Sequence, residues 1–208
     1  MRKMVGQSVG VVLQAVQDGF AAFQGNLSLY VPQIFGSWPA SDQAEVTQYF
    51  QGPKPPCYFS LAYPLQPELM PSCVVSMEAG AEEPNADAFG MQQSFAKQGD
   101  GSYQVWYGIT QHDRYDISLR HATNQKLLLW LDIVTWWALL QQRQNLIAQG
   151  LLQQVLSRSG LEPDPWYNGQ GSLPVFRRTV SLTVRHQVGW YETAQSVSSI
   201  TSTVSQAP

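Results

Sequence analysis

Charge is scarce in this 208-residue chain: Asp, Glu, Lys and Arg make up 13% of it, about half the share of an ordinary soluble domain. Twelve basic residues against 15 acidic ones leave a formal net charge of −3. A protein that holds nucleic acid by neutralising phosphates needs a basic face, so this balance excludes that mode; passage of DNA through a pore needs no such face. Only two cysteines are present, without the spacing of a disulfide framework, and Cys57 and Cys73 each fall at an apolar phase, as small core residues do. The three histidines, His112, His121 and His186, have no second His or Cys at ligand spacing, so a structural metal site and a cofactor are not expected. Long apolar runs are missing too. The most hydrophobic stretch, Leu127 to Leu140, covers 14 positions and contains Asp132, short of the roughly 20 a membrane-spanning helix needs. No Gly-x-Ser-x-Gly elbow, phosphate-binding Gly-x-x-x-x-Gly-Lys loop or dinucleotide fingerprint occurs, and no repeat at solenoid or propeller periods.

Glutamine is plentiful: 25 residues, joined by many Ser and Thr, supply a polar but weakly charged exterior. Such a surface suits standing contacts with neighbours better than life as a lone monomer. The start, Met1-Arg2-Lys3-Met4, has the basic character of a secretion signal. Gln7, Gln14, Gln17 and Asp18 then interrupt the apolar positions, which predicts an amphipathic helix over about Gln7 to Phe23 and synthesis in the cytoplasm. After Gly25 an irregular stretch with Pro32, Gly36 and Pro39 leads to a capped helix from Ser41 to about Gln51, ended by Gly52-Pro53-Lys54-Pro55-Pro56.

The period then changes from helical to alternating. Cys57, Phe59, Leu61, Tyr63 and Leu65 share one face, as do Cys73, Val75 and Met77, and both runs read as strands. Glu78 to Gly101 has no period and reads as a long loop. Tyr103 to Ile109 and Tyr115 to Leu119 alternate around Gln111-His112-Asp113, which predicts a hairpin with its turn there. Thr123 to Gln149 predicts one long helix with a Thr N-cap and Gly150 at C′. Leu151 to Trp166 reads as a bridge with one helical turn. On the last strand Phe176, Val180, Leu182 and Val184 point one way and Arg177, Thr179, Ser181, Thr183, Arg185 and Gln187 the other. The expectation is an α+β fold, with an antiparallel or mixed sheet of about four to five strands backed by the N-terminal helix and the long helix. A single domain spans 1–192, with helical 1–52 preceding the sheet and long helix 123–149 of 53–192, and 193–208 forms a polar tail without charge.

Candidate chemistry is thin. His112, Asp113 and Asp116 resemble a general acid–base or metal-binding group, but a charged hairpin tip is the ordinary reading and no second carboxylate cluster accompanies them. Trp38, Trp166 and Trp190 lie in or beside loops, where exposed aromatics can stack on a ligand. Trp130, Trp136 and Trp137 occupy a helix that is apolar nearly all round, and such a helix must be covered on every side. The part that the sheet and first helix leave over is a candidate subunit interface. Arg177 and Arg185 on the wet face of the last strand, met by Glu82 and Glu83 of an adjacent copy, complete that candidate.

Tyr115 to Leu119, the helix from Asn124 to Gln149, Gly150-Leu151, and then Val175 to Thr183 resemble the second half of the tail-terminator and neck proteins of tailed bacteriophages. The resemblance covers about half the chain and is one of element order; none of these residues is a diagnostic motif, and the 78–101 segment and polar tail depart from it. It implies a non-enzymatic virion protein, made in the host cytoplasm, whose protomers close a hexameric ring at the head-proximal end of the tail. The partners it implies are tail-tube or sheath proteins and the head connector, with DNA passing the lumen unbound, no membrane and no cofactor. Another neck, connector or collar protein, or a Trp-based ligand-binding module, are the alternative readings.

Overall fold

The computed structural model describes residues 5–52, 55–61, 70–82, 92–99, 102–122, 124–164 and 174–194. The elements are α1 (Val5–Gly25), α2 (Leu27–Phe35), α3 (Ala40–Phe50), β1 (Tyr58–Ser60), β2 (Ser72–Glu82), β3 (Gln92–Lys97), β4 (Tyr103–His121), α4 (Gln125–Gln141), α5 (Arg143–Ala148), β5 (Leu152–Arg158), β6 (Glu162–Pro163) and β7 (Phe176–Ala194). The fold is α+β. The main sheet runs β1-β2-β4-β7-β5, with β3 on β4 and β6 on β7. It is mixed, because β1 pairs parallel with β2 whereas β5 and β6 pair antiparallel with β7. The chain divides into two compact units, Met1–Gly80 with His112–His186, and Ala81–Gln111 with Gln187–Pro208.

In the first unit, helices pack on one face of the sheet. Val12, Ala15, Val16, Phe20 and Phe23 recur at helical spacing along α1 and are buried, and Cys73, Val75, Tyr115, Ile117, Leu119, Val180, Leu182 and Val184 meet the helices from the strands. Gly19 sets the approach of α1 to α4. A Cβ there would stand 2.8 Å from the Ala138 Cα and overlap the Ala138 side chain, so the two backbones touch where neither carries bulk. Gly19→Ala is therefore expected to cost about 1–3 kcal/mol through overpacking, whereas Gly10→Ala, with nothing within 4 Å of the added carbon, is expected to be neutral or stabilising. Paired thermal melts check this.

Several elements differ from the sequence reading. The stretch after Gly25 is not irregular: α2 forms with Pro32 inside it, because Leu27, Val31 and Phe35 bury one side of the turn. The expected long helix is broken at Gln142 into α4 and α5. Its cap is Asn124, whose side chain accepts the Leu127 N–H at 2.9 Å; Thr123 lies outside the described residues. Gly150 does occupy C′, at φ 91°. The Leu151 N–H reaches the Leu146 carbonyl (3.0 Å) and the Gly150 N–H the Ile147 carbonyl (2.9 Å), while Leu146 and Leu151 are both buried, which makes a Schellman ending.

There is no turn at 111–113, since β4 runs unbroken through it, and Leu152–Arg158 is a strand rather than a helical turn. Part of the expected 78–101 loop is strand as well: β2 extends to Glu82, and β3 pairs with β4 from Gln92↔Gly108 to Lys97↔Tyr103 in the second unit. The first predicted strand is short, and its positions Tyr63 and Leu65 lie outside the described residues, as does the tail from 195 onward. Both cysteines are free and buried; burial and a hydrogen bond to Cys73 push the Cys57 thiol well up, which leaves it unreactive.

Candidate interaction face of the sheet

Alternation along β4 and β7 gives the first unit's sheet two opposite chemistries. Asp113, Tyr115, Ile117 and Leu119 turn toward the helices, so Arg114, Asp116, Ser118 and Arg120 must turn away; Val180, Leu182 and Val184 likewise leave Arg177, Thr179, Ser181, Thr183 and Arg185 on the outer face. On that face Asp116 is the hub. Its Oδ1 accepts from Arg114 Nε (3.0 Å) and Ser181 Oγ (2.6 Å), and Arg114 Nη2 donates to Ser181 Oγ at 3.1 Å. Ser76 Oγ donates to the Asp116 carbonyl at 3.4 Å, and Glu78 stands 3.6 Å from Arg114. Further along, Arg177 Nε donates to Glu162 at 3.0 Å. Ser159 binds the Thr179 backbone twice, its N–H donating to the carbonyl (2.8 Å) and its Oγ accepting the N–H (2.9 Å).

These groups line a polar cavity of about 510 Å³ with three carboxylates (Glu78, Asp116, Glu162) and the guanidinium groups of Arg114 and Arg177 among hydroxyls; Arg158 lines its rim from β5 but turns its guanidinium to Trp136 and Asp132 on the helix side. The charges nearly balance, with a small acidic excess. Such a site gives a polyanion no net attraction, and its paired side chains are held for contact with another polar surface. At one end the face is closed over by Arg120, which donates to Asp164 at 2.5 Å; both side chains are essentially without exposure, at 0% and 1%.

The predicted residues are spread by this arrangement. His112 and Asp116 lie on the outer face, but Asp113 faces the helices, 2% exposed, and accepts from the Tyr115 hydroxyl at 3.2 Å. The group therefore does not converge, and its ordinary reading as a hairpin tip falls with the missing turn. Burial raises the Tyr115 hydroxyl to about 12, against a lowering by Ser8, which keeps it neutral and donating. His121 is pushed below its usual value by burial, and no group of three or more metal-ligating side chains occurs among the described residues.

Trp130 belongs to the interior at 5% exposure, beside Tyr49 (ring centroids 6.2 Å), and so is not a surface for a neighbour. Trp137 is half-buried against Tyr30 (4.7 Å) and Phe23 (5.8 Å), and Trp136 carries Arg158 over its ring at 4.3 Å. Trp38 packs edge-on against Phe35 at 5.2 Å. Arg177 and Arg185 are on the outer face as expected from the alternation. Trp166, Glu83 and the side chains of Glu82 and Trp190 lie outside the described residues.

One feature that the sequence reading passed over is the environment of Asp132. Although on α4, it is 1% exposed and faces Arg178 (3.5 Å) and Arg158 (4.0 Å) from the sheet. Burial raises its carboxyl above the usual value, opposed by the two arginines. A carboxyl raised in the fold stabilises below its unfolded value of 3.8 and loses that contribution as pH rises through the folded value. The stability of the wild type relative to Asp132→Asn is therefore expected to improve from about pH 7 to about pH 4, read by denaturant titration at each pH.

No protein-family model matches this chain, and no curated protein matches it. Among the described residues no helix is long and apolar enough to cross a membrane.

Proposed function

We propose that this chain is a structural virion protein of a tailed bacteriophage, forming a hexameric ring at the head-proximal end of the tail that ends tail polymerisation and joins the tail to the head connector. The observation that carries the reading is the outer face of β4 and β7, where hydroxyls and internally paired charges are laid out beside one another across a firmly backed sheet. Its function is made of surfaces, with no catalytic step. Exposed Arg and Glu on that face meet the next copy, and a face without basic excess lets DNA pass the lumen without being held. The order of β4, the helical stretch α4–α5 and the final strand β7 supports the same reading, since the resemblance to tail terminators rests on a strand, a long helix and a final strand, although β5 and β6 stand between the helices and β7 here. Light scattering of the purified protein, alone and with assembled tail tubes, tests it. The expected result is a defined oligomer or capture at tube ends; a protein that stays monomeric at high concentration and ignores tubes contradicts it.

A further inference from the structure

The ion pairs around Asp132 are long, and they leave one of its two carboxylate oxygens unsatisfied. Charge-assisted N–H···O contacts ordinarily close to about 2.7–2.9 Å, yet Arg178 Nη1 stands 3.5 Å from Oδ2 and Arg158 Nε 4.0 Å from Oδ1. Asp132 Oδ1, Thr135 Oγ1 and Arg178 Nε are also all buried without a hydrogen-bond partner among the described residues. Asp132 and Thr135 sit three positions apart on α4, hence on one face of the helix. Three neighbouring orphans of this kind, an acceptor, a donor and a hydroxyl that is both, define the complement of one molecule.

We infer that a single water bound between Asp132, Thr135 and Arg178 completes a buried charge cluster that fixes edge strand β5 to α4 through Arg158. The water donates to Asp132 Oδ1 and to Thr135 Oγ1 and accepts from Arg178 Nε, which is the usual number of bonds for a buried water. A small anion would have to face the Asp132 carboxylate, which disfavours it. Arg158 lies at the edge of the cluster, held from the other side by the Trp136 ring at 4.3 Å. As the last strand of the main sheet, β5 has β7 on one side only; Gln154 ties it to the Arg143 carbonyl of α5, and this cluster ties its far end to α4.

A high-resolution crystal structure with a parallel bromide soak, and hydrogen exchange of the 152–158 amides in wild type and Thr135→Val, test the inference. Density is expected within hydrogen-bond distance of all three atoms. In the variant, which keeps the shape but removes the hydroxyl, β5 amides are expected to exchange roughly fivefold faster, the ratio that loss of about one hydrogen bond produces, with α1 amides unchanged. Both arginines closing directly on Asp132 without intervening density, a bromide peak at the site, or unchanged β5 exchange in a folded variant would each overturn it. If Thr135→Val does not fold, the density in the wild type decides alone.

Discussion

Truncating Leu182 to alanine is expected to cost about 2–5 kcal/mol of stability. Leu182 is fully buried on β7 between Val180 and Val184, and its register partner on β5 is Leu156. Leu182 belongs to the buried core between sheet and helices, so its truncation leaves a cavity there. The outer face of the same strand behaves differently. Arg177 is partly exposed and its bond to Glu162 is a surface ion pair, 27% and 42% exposed. The double variant Arg177→Glu, Arg185→Glu should then lose no more than about 1 kcal/mol in an isolated protomer. Its effect is expected in assembly. Thermal melts alongside an assay of ring formation or tube-end binding separate the two faces: an Arg variant that melts early yet assembles, or a thermally silent Leu182→Ala, would mean that the faces are assigned the wrong way round.

An effect of the same size is expected at Arg120. Its bond to Asp164 is wholly buried, so Arg120→Ala leaves a carboxylate without its cation in a site that water does not reach, at a cost of about 3–5 kcal/mol. Replacing both partners, Arg120→Met with Asp164→Leu, removes the uncompensated charge, and the double variant is expected to be more stable than Arg120→Ala in urea titrations. Equal losses would show that the pair contributes through packing of the arginine stem alone.

How far the sequence foretells this molecule differs from element to element. The two faces of β4 and β7 are legible because a buried face fixes the period of two. Gly150 is legible because the left-handed backbone there favours glycine. β5 is not: Gln153 and Gln154 interrupt its alternation where the register slips between Leu152 and Val155. α2 is masked by Pro32, a residue that local preference puts outside helices, although burial of Leu27, Val31 and Phe35 outweighs that preference. The polar triplet Gln111-His112-Asp113 imitates a turn, yet Asp113 keeps the inward phase by bonding the Tyr115 hydroxyl. The outer-face network was hidden for a different reason. Asp116 and Ser181 are 65 positions apart, and only the placing of β4 beside β7 brings them together. The same holds for Asp132, whose partners Arg158 and Arg178 come from two later strands.

The central claim is that copies of this chain close into a ring through the polar sheet face, and electron micrographs of the purified protein test it most directly. Closed rings of uniform diameter are expected from the wild type and from conservative core variants, with rings lost in Arg177→Glu, Arg185→Glu although the protomer stays folded. Wild-type fields containing only monomers, unchanged when tail tubes are added, would contradict the account.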